Sequence, residues 1–415
     1  MKSCTGDIYF HVDVNSAFLA WEAAYRLHHL GEQLDLRTIP CVVGGDEKSR
    51  HGIVLAKSHP CKQYGIQTGE SLMEARRKCP TLKVVPGRSG LYSRCSEALV
   101  ELLQSYSPHV EQYSIDEAFL CMTGTELLHG DPVRVANQLR EHIRDYLGFT
   151  VNIGVSTNRL LAKMASDFTK PDRVHTLWPE EVPTKMWPLP VTNLFYVGRA
   201  TYPKLKILGI RTIGDLANAD LIQLRSLLKS HADVIWNYAN GRDLHEIMPS
   251  SAPMNRGVGN SCTIPYDIDH IDAASMVFLS LAEKVGMRLR KENLKVEVIA
   301  IGIKYSDFSY KSMQMTLKAA TNITNEIHSC ALQLFEQLWD HKKTIRHLGI
   351  HTSKAKDDMN YRQLSFSDVL ESSVTDHPYL KYEKLEKADL MSDEIRKLYG
   401  IDAIKRARFV GESRR

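Results

Sequence analysis

Three acidic residues in two short segments have the types and surroundings to do chemistry: Asp13, within Asp13-Val14-Asn15-Ser16-Ala17-Phe18, and the pair in Ser114-Ile115-Asp116-Glu117. Each follows an apolar run. Ile8-Tyr9-Phe10-His11-Val12 predicts a buried strand that delivers Asp13. Glu111-Gln112-Tyr113-Ser114-Ile115 predicts a second strand delivering Asp116 and Glu117, continued by Ala118-Phe119-Leu120. Carboxylates at such ends are hard oxygen ligands for a divalent cation. Magnesium is usually held by one or two carboxylates together with substrate phosphates, so three acids suit a two-metal phosphoryl or nucleotidyl transfer site. Against this stands the plain alternative that, among 49 acidic residues, an Asp-Glu pair after a hydrophobic stretch is a solvated strand end.

The elements that must position these acids follow from pattern. Residues 1 to about 180 alternate strands with helices: a strand at 8–13, a helix from Ser16, strands near 40–45 and 52–57, and helices from Ser71 and Ser93. A helix at 132–147, strand 150–155 and a helix from Asn158 complete a mixed α/β domain with an inserted subdomain. Trp187-Pro188-Leu189-Pro190 reads as a hinge, and 191–248 as short helices separated by Gly198, Gly209 and Gly214. After a Pro- and Ser-containing linker at 249–258 come helix 272–291, strands 295–305 and 312–318, helix 324–339 and strand 344–351. The polar tail from Ser353 carries one helical segment near 390–400.

A chain of 415 residues, 43% hydrophobic, is expected to form roughly two to four ordinary cores. No apolar run is long enough for a bilayer crossing and the N-terminus lacks a signal pattern, so a cytoplasmic protein without membrane attachment is expected. The eight cysteines include no C-x-x-C, which argues for free thiols rather than disulfides or structural zinc. Net charge is only +4, but Arg288-Leu289-Arg290-Lys291, Lys295, Lys304 and Lys311 fall around strand-like runs, where one basic face would meet phosphates.

Asp13 with Phe18 five positions on, Ser-Ile-Asp-Glu at 114–117, and Lys170-Pro171 after Ala165-Ser166-Asp167-Phe168-Thr169 together resemble the Y-family translesion DNA polymerases, bacterial branch related to the UmuC and DinB proteins. The likeness covers nearly the whole chain. It implies an α/β (α+β) multidomain right hand: palm at 1–22 and 84–180, fingers at 23–83, helix-hairpin-helix thumb at 181–248, linker at 249–258, little finger at 259–354 and C-terminal tail at 355–415. It further implies template-directed DNA synthesis in damage tolerance, by a monomer acting on primer–template DNA and deoxynucleoside triphosphates.

By the same resemblance Asp13 and Asp116 each touch both of two magnesium ions, Glu117 helps hold the ion that activates the primer 3′ hydroxyl, and the backbone carbonyl of Val14 adds a ligand. Phe18 lies under the sugar as a steric gate against a 2′ hydroxyl. Lys170 reaches the triphosphate, and His59 and Lys62 in Ser58-His59-Pro60-Cys61-Lys62 stand where the family often has Tyr and Arg over the triphosphate. Gly198, in Tyr196-Val197-Gly198-Arg199, falls in a DNA-gripping turn whose first glycine is missing; Arg288, Arg290 and Lys291 track the DNA backbone. Gln363-Leu364-Ser365-Phe366 stands where relatives carry a sliding-clamp motif, one apolar anchor short.

Two other classes compete. Gly44-Gly45-Asp46-Glu47 superficially resembles the diguanylate cyclase signature, although Lys48 follows where an aromatic is expected and a Gly-Gly-Asp turn between strands accounts for it. A non-catalytic DNA-binding or clamp-tethered protein with a polymerase-like body is the other; the intact acid triad argues against it.

Overall fold

The computed structural model describes residues 7–45, 52–243, 257–357 and 378–409, and the chain forms two units, Met1–Glu47 with Gly52–Ala252, and Lys48–His51 with Pro253–Arg415. In the first, β1 (Tyr9–Val14) passes through Ser16 into α1 (Ala17–His29). There follow β2 (Cys41–Gly44), β3 (Val54–Lys57), α2 (Leu72–Lys78), β4 (Lys83–Pro86) and α3 (Ser89–Gln104). Next come β5 (Val110–Gln112), β6 (Glu117–Cys121), α4 (Pro132–His142), β7 (Val151–Ser156), α5 (Arg159–Ser166) and β8 (Val174–Thr176). The main sheet has the order β5-β6-β1-β7-β8, and a smaller sheet the order β3-β2-β4.

β1 is central in that sheet, antiparallel to both neighbours, and five of its six residues are buried. Phe10, Val12 and Val14 join the apolar core, while the alternating His11 and Asp13 meet Ser166 of α5 and Lys170. α5 lies directly on β7. The approach is so close that a Cβ at Gly154 would sit 1.8 Å from the Ala162 carbonyl oxygen, so only glycine fits there.

Four short helices end the first unit: α6 (Tyr202–Ile207), α7 (Ile213–Ala217), α8 (Leu221–Leu228) and α9 (Ser230–Ala239). Gly209, with φ +76, terminates α6 as expected. Gly214 instead lies within α7, where its N–H donates to the Trp187 carbonyl at 3.0 Å and a Cβ would crowd the Trp187 side chain, so it serves close packing rather than separation.

The second unit contains β9 (Gly259–Ile268), α10 (Ile271–Lys291), β10 (Leu294–Tyr305), β11 (Tyr310–Thr321), α11 (Thr324–Leu338), β12 (Ile345–Asp357) and α12 (Pro378–Tyr399). Its sheet is antiparallel throughout, in the order β11-β10-β12-β9. The inward residues Val296, Ile299, Ile301 and Ile303 pack with Phe278, Val285 and Phe335 of α10 and α11.

Two expectations are corrected here. The segment 111–120 is not one strand: β5 and β6 form a hairpin, because the Ser114 hydroxyl accepts the Asp116 and Glu117 N–H groups at 3.2 and 3.0 Å and closes a tight turn. The C-terminal segment is not a loose polar tail with a short helix, since α12 spans Pro378–Tyr399 and docks on α10 and α11 through charged contacts. The seven described cysteines are free, and no described helix is long and apolar enough to cross a membrane.

Candidate active site

Strand register brings two of the acids together: on the main sheet Asp13 pairs with Glu117 of β6 on one side and with Asn152 of β7 on the other. Asp116 occupies the adjacent turn. Its carbonyl accepts the Val14 N–H at 3.0 Å, and its carboxylate accepts the Ser114 hydroxyl at 2.6 Å. Ser114 thus uses both hydroxyl functions to set the turn and aim the acid.

Each of two acids meets a lysine. Asp13 is 8% exposed, and its Oδ2 lies 2.6 Å from Lys170 Nζ, which also contacts Asp167 at 2.8 Å. Burial pushes the Asp13 carboxyl up to about 6; Lys170 pulls it down and is outweighed. Glu117 Oε1 accepts from Lys163 Nζ at 2.9 Å. Burial alone would raise Glu117, but the His11 ring and the Lys163 ammonium hold it at about 2. His11 Nε2 is 3.9 Å from Glu117, beyond hydrogen-bond reach, and burial lowers that imidazole to about 4, leaving it neutral at pH 7. Lys163 is therefore the charged partner of Glu117. Its ammonium also lies 5.6 Å from the Tyr113 ring centre and 5.3 Å from that of Phe195.

Sequence reading missed Lys163, His11 and Asn152. The signal for Lys163 was its place one residue before Met164-Ala165-Ser166-Asp167, on the buried face of α5. Asn152 donates to the Ser166 and Thr169 carbonyls at 2.9 and 2.7 Å, while Asn15 Oδ1 accepts the Asp172 N–H at 2.9 Å. These bonds moor the Lys170 loop beside β1. Lys170 itself was expected to face a triphosphate, and in the structure it bridges Asp13 and Asp167.

Phe18 is half-buried near the start of α1, stacked on Tyr92 of α3 with centroids 4.9 Å apart and planes at 16°, and Trp21 lies 6.0 Å from both rings. His59 and Lys62 are exposed on a short 3-10 turn, His59–Tyr64. Gly198 is exposed and precedes α6; the left-handed φ of its turn falls on Tyr196, at +71, where a glycine was missed in the sequence. The turn conformation is present without the residue that usually permits it.

Arg290 departs from expectation. It is 8% exposed, donates to Asp393 and Asp389 of α12 at 2.6 and 3.1 Å and to the Asn322 carbonyl at 2.7 Å, and has no face left for a phosphate. Lys295 pairs with Glu386 in the same way, at 3.1 Å. Arg288 and Lys291 are exposed, Arg288 donating to the Gly259 carbonyl. Gln363, Leu364 and Phe366 lie outside the described residues, as do Asp46 and Glu47 of the cyclase-like segment.

By their chemistry the three acids suit a divalent ion. Asp13, Asp116 and Glu117 offer hard carboxylate oxygens from one strand end and the adjoining turn, and two of them already hold ammonium groups where a cation would be expected. Among the described residues no three His, Cys, Asp or Glu side chains close on one point.

Comparison with known proteins follows this geometry. Residues 12–167 match the model of the impB/mucB/samB family, and 255–366 that of the family's C-terminal domain. DNA polymerase IV of Clostridium acetobutylicum is 43% identical over 400 residues, covering 96% of this chain and 97% of that one. DNA polymerase IV 2 of Bacillus subtilis is 32% identical over 407 residues, 96% of this chain and 94% of its own. A solved Y-family DNA polymerase chimera of Dbh and Dpo4 superposes with a TM-score of 0.72 at 21% identity, over 84% of this chain and 99% of that one.

Proposed function

The chain belongs to the impB/mucB/samB family of Y-family DNA polymerases and is a DNA-directed DNA polymerase of the translesion type, and on that premise we propose that Asp13, Asp116 and Glu117 form its catalytic centre. The observation that supports this most directly is the register that sets Asp13 opposite Glu117, with Asp116 tied to Val14 in the neighbouring turn.

Family members use divalent metal, and the finer reading is two magnesium ions held by Asp13, Asp116, Glu117 and the Val14 carbonyl. Bound there, they would stabilise charge on the attacking and leaving oxygens as the primer 3′ hydroxyl displaces pyrophosphate from a deoxynucleoside triphosphate. The protein supplies no covalent nucleophile in this reading. Ser114 aims Asp116, and Lys163 is the charged partner of Glu117. Lys170 leaves Asp13 for the triphosphate, a compact cation moving from one anion to another. His59 and Lys62, exposed on their turn, add contacts to that triphosphate, and Phe18 closes the floor under the sugar.

In this assignment residues 1–22 and 84–180 are the palm, 23–83 the fingers, 181–248 the thumb and 259–354 the little finger. Primer–template DNA is gripped by the turn at Gly198 and by the exposed Arg288 and Lys291. A sliding clamp would take Gln363, Leu364 and Phe366 as anchors.

Primer extension on a templated duplex with magnesium tests the proposal. Wild-type protein extends the primer and Asp116→Ala does not; extension that survives Asp116→Ala would remove this acid from the centre.

A further inference from the structure

Glu22 is a charged residue with no exposed surface, a costly state that calls for an account. It lies on α1 one turn beyond Phe18. Arg88, at the N-terminal cap of α3, lies one turn before Tyr92. The guanidinium grips the carboxylate in two-point fashion, Nε to Oε2 at 3.0 Å and Nη2 to Oε1 at 2.7 Å, and lies over the Tyr25 ring at 4.6 Å. Arg26 shares Oε1, donating from Nε at 2.7 Å, and is itself fixed by Glu32 at 3.0 Å.

Two successive rungs therefore join α1 to α3. One is the Phe18–Tyr92 stack and the next is the Glu22–Arg88 pair. The rings have no directional bonds of their own: the buried Tyr92 hydroxyl and the buried Trp21 Nε1 find no hydrogen-bond partner among the described residues. Packing alone tolerates sliding of a ring by fractions of an ångström, whereas a forked guanidinium–carboxylate pair fixes both distance and angle. The ion pair is the contact that fixes α3, and with it the Tyr92 ring, against the Phe18 face of α1.

We infer that Glu22 and Arg88 are positioning residues for sugar discrimination, holding the Phe18–Tyr92 platform at the height that excludes a 2′ hydroxyl. This rests on the reading of Phe18 as the gate. A pair that merely stabilised the fold would change incorporation of both sugars alike. A pair that sets the gate changes their ratio.

The test is single-nucleotide incorporation of dCTP and CTP opposite template G by the full chain, as kcat/KM for each, in wild type, Arg88→Met, Arg88→Lys and Phe18→Ala. Arg88→Met is expected to lower the dCTP/CTP ratio about tenfold, chiefly by raising kcat/KM for CTP, and Arg88→Lys, which keeps the charge but loses the fork, by a smaller factor. Phe18→Ala lowers it further. A wild-type ratio in Arg88→Met beside a collapsed ratio in Phe18→Ala overturns the inference and leaves the gate standing. A wild-type ratio in Phe18→Ala overturns the gate itself. Should Arg88→Met fail to fold, Arg88→Lys decides by the same comparison.

Discussion

Replacing Asp13 by Asn should make the metal-free protein more stable while abolishing its activity. The buried carboxyl titrates near 6, against an ordinary 3.8. At roughly 1.4 kcal/mol per pH unit, the ionised Asp13 costs the fold about 3 kcal/mol at pH 7.5 relative to the unfolded chain. The direction follows from an acid whose pKa is raised on folding: below 3.8 the carboxyl is protonated in both states, and stability is lost as pH climbs through about 6. Asn carries no charge and escapes that loss. Urea unfolding in the presence of a chelator, followed by tryptophan fluorescence of the first unit, should give Asp13→Asn a gain of about 3 kcal/mol at pH 7.5 that shrinks toward zero near pH 4. Magnesium should then stabilise the wild type and not the variant, since bound cation repays the buried charge. A variant no more stable than wild type at pH 7.5, or equally favoured at both pH values, would refute the argument.

Three further outcomes follow from contacts. Gly154→Ala places a Cβ 1.8 Å from the Ala162 carbonyl oxygen and 2.6 Å from the Ser166 nitrogen; because backbone cannot swing aside, urea unfolding should show a loss of about 3 kcal/mol or more, and unchanged stability would mean that α5 does not lie on β7. Lys163→Met removes the cation that holds Glu117 at about 2, so the acid limb of the pH profile of kcat/KM should move to higher pH; an unmoved limb would discard Lys163 as Glu117's partner. Arg290→Met strands Asp393 and leaves Asp389 to Arg406 and the Thr324 N–H, and should cost the second unit about 3 kcal/mol while leaving the salt dependence of DNA binding unchanged; a shallower salt slope would put Arg290 on a phosphate instead.

Much of the site could be read from sequence because its carriers are local. A largely apolar strand with an acid near its end declares both its burial and its end, and Asp13 lies one residue before the end of β1. The hairpin at Asp116 was harder, since the turn is closed by one serine hydroxyl inside a run that looks extended. Lys163 and His11 were invisible for a different reason: their significance lies in what faces them across the sheet, and pairing between β1, β6 and α5 is set by tertiary contact. Arg290 was misread because basic residues at a helix end look alike whether they face solvent or an acidic helix about a hundred residues later. Tyr196 shows the converse. A pattern that demands glycine fails there, yet the chain adopts glycine's conformation and accepts a modest strain, with the Tyr196 ring set edge-on against Phe195 and Tyr238.

The docking of α12 on α10 also bears on how the protein is made. Asp389 and Asp393, which neutralise Arg290, and Arg406, which holds Glu283 and Asp389 at 2.8 and 3.2 Å, lie about a hundred residues beyond α10 in the chain and leave the ribosome well after it. Until they arrive, α10 carries an arginine and a glutamate that have lost their intended partners. A chain cut short before residue 378 would carry that defect permanently and present an unfinished surface to proteases. The ion-pair cluster thus works as a late closure of the second unit, made only after α12 has been synthesised.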